Sequence, residues 1–174
     1  MSKILVPTDL SENSINALKY ANSFATKQNA EIVLLNIYTG DISNYESGWP
    51  IEEDIDAIKP DRKKVLESIV QQYCTVPTNI EIIEGDVVAT TVNYAKDNAV
   101  SIIIMGTHGA SGLKEVFWGS NTSNVVAQSE VPVLAIPINF SYSTIDKIIY
   151  ASDFKDFKAE INQIVPVAQS IGAS

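Results

Sequence analysis

Ile32-Val33-Leu34-Leu35 is a run of four apolar residues uninterrupted by polar ones, at the centre of Glu31–Tyr38. A strand with one wet face alternates apolar and polar residues, so a continuous run of this length points to a strand covered on both faces, as in a parallel sheet. Other segments have the same texture. Lys3-Ile4-Leu5-Val6 reads as a first strand ended by Pro7, Val100 to Met105 as a fourth, and Val133-Leu134-Ala135-Ile136 as a short fifth. Asn79 to Glu84 is the third, closed by Gly85-Asp86.

The intervening segments have helical spacing. Ser11 can cap a helix whose apolar face is Ile15, Leu18, Ala21, Phe24 and Ala25. After a loop over residues 39–50, a stretch reaching Cys74 carries Val65, Leu66, Ile69, Val70 and Tyr73 on one face, with Pro60 interrupting it. Val88, Val92 and Ala95 mark a third helix, and Ser120 to Ser129 a fourth. Strands alternating with helices imply right-handed crossovers, and hence an α/β fold with one open parallel sheet.

Charge narrows the partners of such a fold. The formal net charge is −9, from 12 basic and 21 acidic residues, which argues against nucleic acid and anionic membrane, where basic surface supplies most of the attraction. A phosphate ligand would have to be held locally. The N-terminus is too poor in apolar residues for a signal peptide and no run approaches about 18 apolar residues, so a cytoplasmic protein without a membrane span is expected. Cys74 is the sole cysteine and His108 the sole histidine, which leaves no internal disulfide and no Cys/His zinc set. A buried, inert thiol is the simpler reading of Cys74.

Four of the eight glycines fall within fourteen residues, from Gly106 through Gly109 and Gly112 to Gly119. They follow a strand ending at Met105 and lead into Ser120-Asn121-Thr122-Ser123, a helix start. Strand, glycine loop and helix N-terminus together suit an anion, because glycine lets the backbone approach closely and the helix end presents free N–H groups. The spacing is neither a Walker loop, which needs Gly-Lys-Ser/Thr, nor the G-x-G-x-x-G fingerprint. Leu113 stands where a nucleophile elbow needs glycine, and Ser111 has no partner base identifiable in the sequence. His108 reads as incidental more readily than as a phosphate contact or catalytic group, while Phe117 and Trp118 suit either base stacking or packing.

A second pattern lies near the end of the chain. Lys147-Ile148-Ile149-Tyr150-Ala151-Ser152-Asp153-Phe154 repeats Lys3-Ile4-Leu5-Val6-Pro7-Thr8-Asp9-Leu10 at an offset of 144 residues. An amphipathic segment comes next, with Ile161, Ile164, Val165, Val167, Ala168 and Ile171. The reading is a first domain over residues 1–138, then over 139–174 a linker and the first strand and helix of a truncated second repeat. That repeat has no glycine loop and cannot complete a second site.

With Val6-Pro7-Thr8-Asp9 after strand one and Gly106-x-x-Gly109, nine residues, then Gly119-Ser120 after strand four, the chain resembles the universal stress protein family, in its ATP-binding branch and its tandem-domain form. The resemblance implies a five-stranded sheet in order 3-2-1-4-5, Rossmann-like and of the adenine nucleotide alpha hydrolase type. It implies that ATP or another adenine nucleotide, with Mg²⁺ as a possible companion, is bound by Pro7, Thr8, Asp9, Ile37, Met105, Gly106, Gly109, Gly119, Ser120 and Asn121. Asp9 would accept from the ribose hydroxyls, though helix capping is an alternative. Ile37 would offer backbone groups to adenine beside Pro7 and Thr8, and the glycines, Ser120 and Asn121 would surround the phosphates. It also implies a homodimer paired through residues 131–136.

Binding does not entail cleavage. With no Walker lysine and no assembled base, a regulatory module in a stress response is the first expectation, in which nucleotide occupancy shifts conformation or dimerisation. The alternatives are a slow ATPase or nucleotidyl-transferring enzyme on the same frame, which would turn over ATP, and a dimerisation unit that holds no nucleotide, which would not respond to it.

Overall fold

The structure, a computed structural model, describes residues 2–38, 55–107, 119–151 and 155–173. Its elements run β1 (Lys3–Thr8), α1 (Glu12–Gln28), β2 (Glu31–Tyr38), α2 (Ile55–Tyr73), β3 (Thr78–Glu84), α3 (Val87–Asp97), β4 (Ile102–Gly106), α4 (Ser120–Gln128), β5 (Val133–Ile136) and α5 (Phe157–Ile171). All strand pairs are parallel and the sheet order is β3-β2-β1-β4-β5. The alternation of strands and helices, the parallel sheet and its order all agree with the expectation from sequence.

The unbroken apolar runs occupy the middle of the sheet, where both faces are covered. Leu5, Val33, Leu35, Ile103 and Met105 pack with Val88, Ala95 and Val125 from α3 and α4. The residues between them, Ile4, Val6, Ile32, Leu34 and Ile104, are buried as well, and the inward face of α1 supplies Leu18, Ala21, Phe24 and Ala25. Ala17 and Tyr20 join that face, while Ile15 is only half-buried. On α2, Leu66 is fully buried, but Val65 is 48% exposed and does not belong to the inward face expected for it.

Two prolines behave differently from expectation. Pro7 does not end β1 but lies inside it. Along a parallel strand the backbone groups of successive residues point to alternate neighbours. Lys3 accepts from Ser101 on the β4 side and Ser2 accepts from Glu31 on the β2 side, so Pro7 faces β4. The β1–β4 register ends at Leu5 and Ile103, so the missing N–H of Pro7 costs no ladder bond. Pro60 does not break α2 either; it sits in the second turn of a helix that continues to Tyr73, forfeiting one backbone bond.

Helix ends follow local chemistry. Ser11 caps α1 by accepting from Ser14 N–H, and Asp86 caps α3 by accepting from Ala89 N–H at 2.8 Å. Asn29 closes α1 in the left-handed conformation that asparagine tolerates.

The chain divides into two compact units, residues 1–141 and 142–174. In the first, Asn16 Nδ2 donates to the carbonyls of Pro137 and Phe140, and the Phe140 ring lies 6.2 Å from that of Tyr20. In the second, α5 forms where the amphipathic segment was expected, whereas Lys147–Tyr150, expected as a strand, is in no strand. The physical reason is that a strand's backbone groups are satisfied by a neighbouring strand, and among the described residues none pairs with this segment. Ser152, Asp153 and Phe154 of the repeat lie outside the described residues, as do the loop at 39–50 and residues 108–118.

Candidate functional site

The sheet order reverses direction between β1 and β4, and ligands of open α/β sheets bind beyond the carboxyl ends of the strands at such a point. A cleft of about 210 Å³ opens there. From β1 and the turn after it come Pro7, Thr8 and Asp9; from β2, Leu35 and Ile37; from β4, Met105 and Gly106. The N-terminal end of α4 supplies Gly119, Ser120, Asn121 and Thr122, and Ser14 of α1 and Val87 of α3 complete the described lining.

Nine of the ten residues singled out in the sequence thus meet around one cleft. The tenth, Gly109, lies outside the described residues, together with His108, Ser111, Phe117 and Trp118. Ser14, Leu35, Val87 and Thr122 line the cleft without having been singled out. Leu35 had a signal, since it alternates with Ile37 and must share its face. Thr122 stands two residues after Ser120, within the first turn of the helix whose start was recognised.

The turn after β1 is tightly held. Thr8 Oγ1 lies 2.9 Å from Ser14 Oγ and accepts from Leu10 N–H at 3.1 Å, while Ser14 Oγ donates to the Ser11 carbonyl. Asp9 Oδ1 accepts from the backbone N–H and the hydroxyl of Ser11, at 3.0 and 2.5 Å. Asp9 therefore bonds the capping residue, and Ser11 rather than Asp9 caps α1. Leu10 sits at φ 66°, a conformation unusual for a side chain of its size and kept in place by these bonds.

The opposite wall is built from β4 and α4. Thr122 Oγ1 donates to the Gly106 carbonyl at 2.7 Å, and Gly119 N–H donates to the Thr107 carbonyl at 2.6 Å. Gly119 is the N-cap of α4 and gives it no side-chain cap, in contrast to Ser11 on α1 and Asp86 on α3. The first-turn N–H groups of α4 consequently face the cleft without a side-chain cap, and carry the positive end of the helix dipole.

Packing within the protein constrains Gly106 in a way the sequence did not reveal. Its backbone is extended, with no positive φ, but an added Cβ would lie 2.7 Å from Asn13 Cγ and 3.0 Å from the Asn13 carbonyl oxygen. The approach of α1 alone leaves no room for a side chain there. Among the described lining residues only Asp9 carries a charged group, so the polar character of the cleft comes from hydroxyls, amides and backbone. No group of three His, Cys, Asp or Glu among the described residues could hold a metal ion, and no helix among them is long and apolar enough to cross a membrane.

Comparison with known proteins bears on the family and the fold. The model of the universal stress protein family matches residues 1–137. Universal stress protein MJ0577 of Methanocaldococcus jannaschii is 34% identical over 151 residues, spanning 77% of this chain and 93% of that protein. The solved structure of MJ0577 superposes with a TM-score of 0.68 over 82% of this chain and 98% of its own, at 33% identity. A universal stress protein from Archaeoglobus fulgidus DSM 4304 matches at 26% identity with a TM-score of 0.66, over 99% of this chain but 63% of its own. One solved with cAMP shares the fold, with a TM-score of 0.59 at 20% identity.

Proposed function

This chain belongs to the universal stress protein family, and we propose that the cleft between β1 and β4 binds an adenine nucleotide, ATP foremost, so that occupancy rather than hydrolysis carries the signal. The observation that carries the reading is the convergence of Asp9 with the uncapped start of α4 across one cleft, from positions more than a hundred residues apart. A carboxylate accepts from vicinal hydroxyls, and a helix start offers N–H donors to phosphate. These two recognition elements, with an apolar wall between them, match ribose, phosphate and base.

The residue roles in this reading are those the family resemblance implies. Asp9 accepts from the ribose hydroxyls. Backbone groups at Ile37 meet the adenine edge, beside Pro7, Thr8 and Met105. Gly119, Ser120 and Asn121 donate to phosphate oxygens, and the family resemblance assigns Gly106 and Gly109 to the same group. Mg²⁺, where present, would ride on the phosphates, since no carboxylate cluster is at hand among the described residues. The solved relative with cAMP is consistent with adenine-nucleotide chemistry on this fold.

The quaternary part of the proposal is a homodimer paired through residues 131–136. β5 is the edge strand of the sheet, partly exposed, and Ile138 and Phe140 just beyond it are each 46% exposed. The second unit we read as the opening of a second repeat, in keeping with a relative of which this chain matches only 63%. The protein acts in the cytoplasm in this reading. Calorimetric titration with ATP, ADP and AMP, beside a multiple-turnover assay, tests it: saturable binding without steady turnover is expected, and sustained turnover abolished by Asp9→Ala would replace it with an ATPase.

A further inference from the structure

The strongest feature outside the cleft lining is a buried amide behind it. Asn36, near the end of β2, is 1% exposed, in a strand whose other interior residues are all apolar. Its neighbours Leu35 and Ile37 line the cleft, so by strand alternation Asn36 points to the other side of the sheet. A buried polar side chain costs stability unless it is bonded, and this one is bonded at both ends. Its Nδ2 donates to the Thr8 carbonyl at 2.8 Å, and its Oδ1 accepts from Arg62 Nη1 of α2 at 3.3 Å. The Arg62 guanidinium lies 5.6 Å from the centre of the Tyr38 ring, which holds it over β2.

The chemistry of the partners fixes the amide. A carbonyl only accepts and a guanidinium only donates, so the group between them must present N–H₂ to Thr8 and oxygen to Arg62. Of the two shape-related side chains, asparagine meets both demands and aspartate meets one. The bond to the Thr8 carbonyl acts on the turn that begins there. The Thr8–Asp9 peptide opens the turn in which Leu10 is held at φ 66°, and Thr8 Oγ1 takes the Leu10 N–H. The amide on the Thr8 carbonyl and the hydroxyl bond on the Leu10 N–H thus fix both sides of Asp9, and such conformations persist only where the surroundings over-determine them.

We propose that Asn36, oriented by Arg62, is a positioning residue that sets the Thr8–Asp9 peptide from behind the sheet, and so sets the recognition of a ligand's vicinal hydroxyls by Asp9. The inference rests on the nucleotide reading of the cleft and adds to it a residue that does not line the cleft. It also makes α2 a determinant of ligand choice, since Arg62 is its contribution.

The test compares ATP with 2′,3′-dideoxy-ATP by calorimetric titration of the full chain, in wild type, Asn36→Asp and Arg62→Met. Wild type should bind ATP about tenfold or more tightly than the dideoxy analogue, as hydrogen bonds to a charged group warrant. Asn36→Asp keeps the Arg62 pairing but turns an oxygen toward the Thr8 carbonyl, so the preference should fall to roughly threefold or less. Arg62→Met keeps the aliphatic stem and should lower the preference by a smaller factor, which keeps the proposal falsifiable if the Asp variant fails to fold. A general loss of structural integrity would weaken both ligands equally and leave the ratio intact; an intact ratio in either folded variant overturns the proposal. If wild-type protein binds neither ligand, the nucleotide reading itself has failed, and with it this inference.

Discussion

Thr122 Oγ1 donates to the Gly106 carbonyl at 2.7 Å, with Thr122 itself 3% exposed. This one bond ties the end of β4 to the first turn of α4, so both walls of the glycine segment are fixed by it. Thr122→Val keeps the shape and removes the donor, leaving a buried carbonyl without that partner. The expected cost is about 1–3 kcal/mol, and each kcal/mol lowers the melting temperature by about 2–4 °C in a chain of this size. Thermal unfolding checks it; an unchanged melting temperature would mean that the bond holds nothing.

Gly106→Ala drives a methyl onto the Asn13 amide and close to its backbone oxygen. Overpacking of this kind costs roughly 1–3 kcal/mol. Because the nearest atoms belong to a side chain, Asn13→Ala in the same chain should recover part of the loss, while the backbone contact keeps the recovery incomplete. A double-mutant cycle in urea measures the coupling, and strictly additive costs would show that the two residues do not collide.

These two glycine-segment contacts mark the boundary of what was legible in the sequence. Unbroken apolar runs such as Ile32–Leu35 reveal burial on both faces directly, and from there the parallel sheet follows. Pro7 and Thr8–Asp9 on one side and Gly119–Asn121 on the other could be read because they carry the motif spacing by which the chain resembles its family. Thr122, Ser14 and Val87 could not, since a threonine in a first turn or a valine opening a helix fits many environments. The packing demand on Gly106 was not legible either: the absence of a side chain serves ligand approach and helix packing alike, and only the position of Asn13 reveals the second. Lys147–Tyr150 has the residue types of a strand but no strand beside it among the described residues, a tertiary condition that no local pattern contains.

Burial pushes the Cys74 thiol above its ordinary pKa of 9.0, with a bond from Thr78 acting weakly the other way. The thiolate is the reactive form, so alkylation at pH 8 should run slower than for a free cysteine peptide. A raised folded-state value also means that the thiol's contribution to stability is fully present below the ordinary value of 9.0 and is lost as pH rises through the folded value. Rates equal to the free peptide's at about pH 8 would show an exposed thiol.

The edge strand β5 and the exposed Ile138 and Phe140 beyond it should pair with a second copy. Light scattering is expected to give twice the chain mass, and Ala135→Pro, which disturbs the edge of β5, should give the monomer. A wild-type monomer at high micromolar concentration would contradict dimerisation through this edge.

Nucleotide should stabilise the fold by mass action. At about a hundred times its dissociation constant a ligand adds about 2.7 kcal/mol, or roughly 5–10 °C in melting temperature for a chain of this size. Asp9→Ala should abolish most of that shift, and should lower the ligand-free stability only by about 0.5–1.5 kcal/mol, because its bonds to Ser11 are exposed and Ser11 itself caps α1.

If Asp9 and the start of α4 together hold an adenine nucleotide, calorimetric titration of ATP into wild type and Asp9→Ala will separate the two proteins. Saturable binding is expected, one nucleotide per chain, weakened about tenfold or more by the substitution, in line with the loss of charge-assisted bonds. Absence of binding by wild type, or equal affinity in the two proteins, would contradict it.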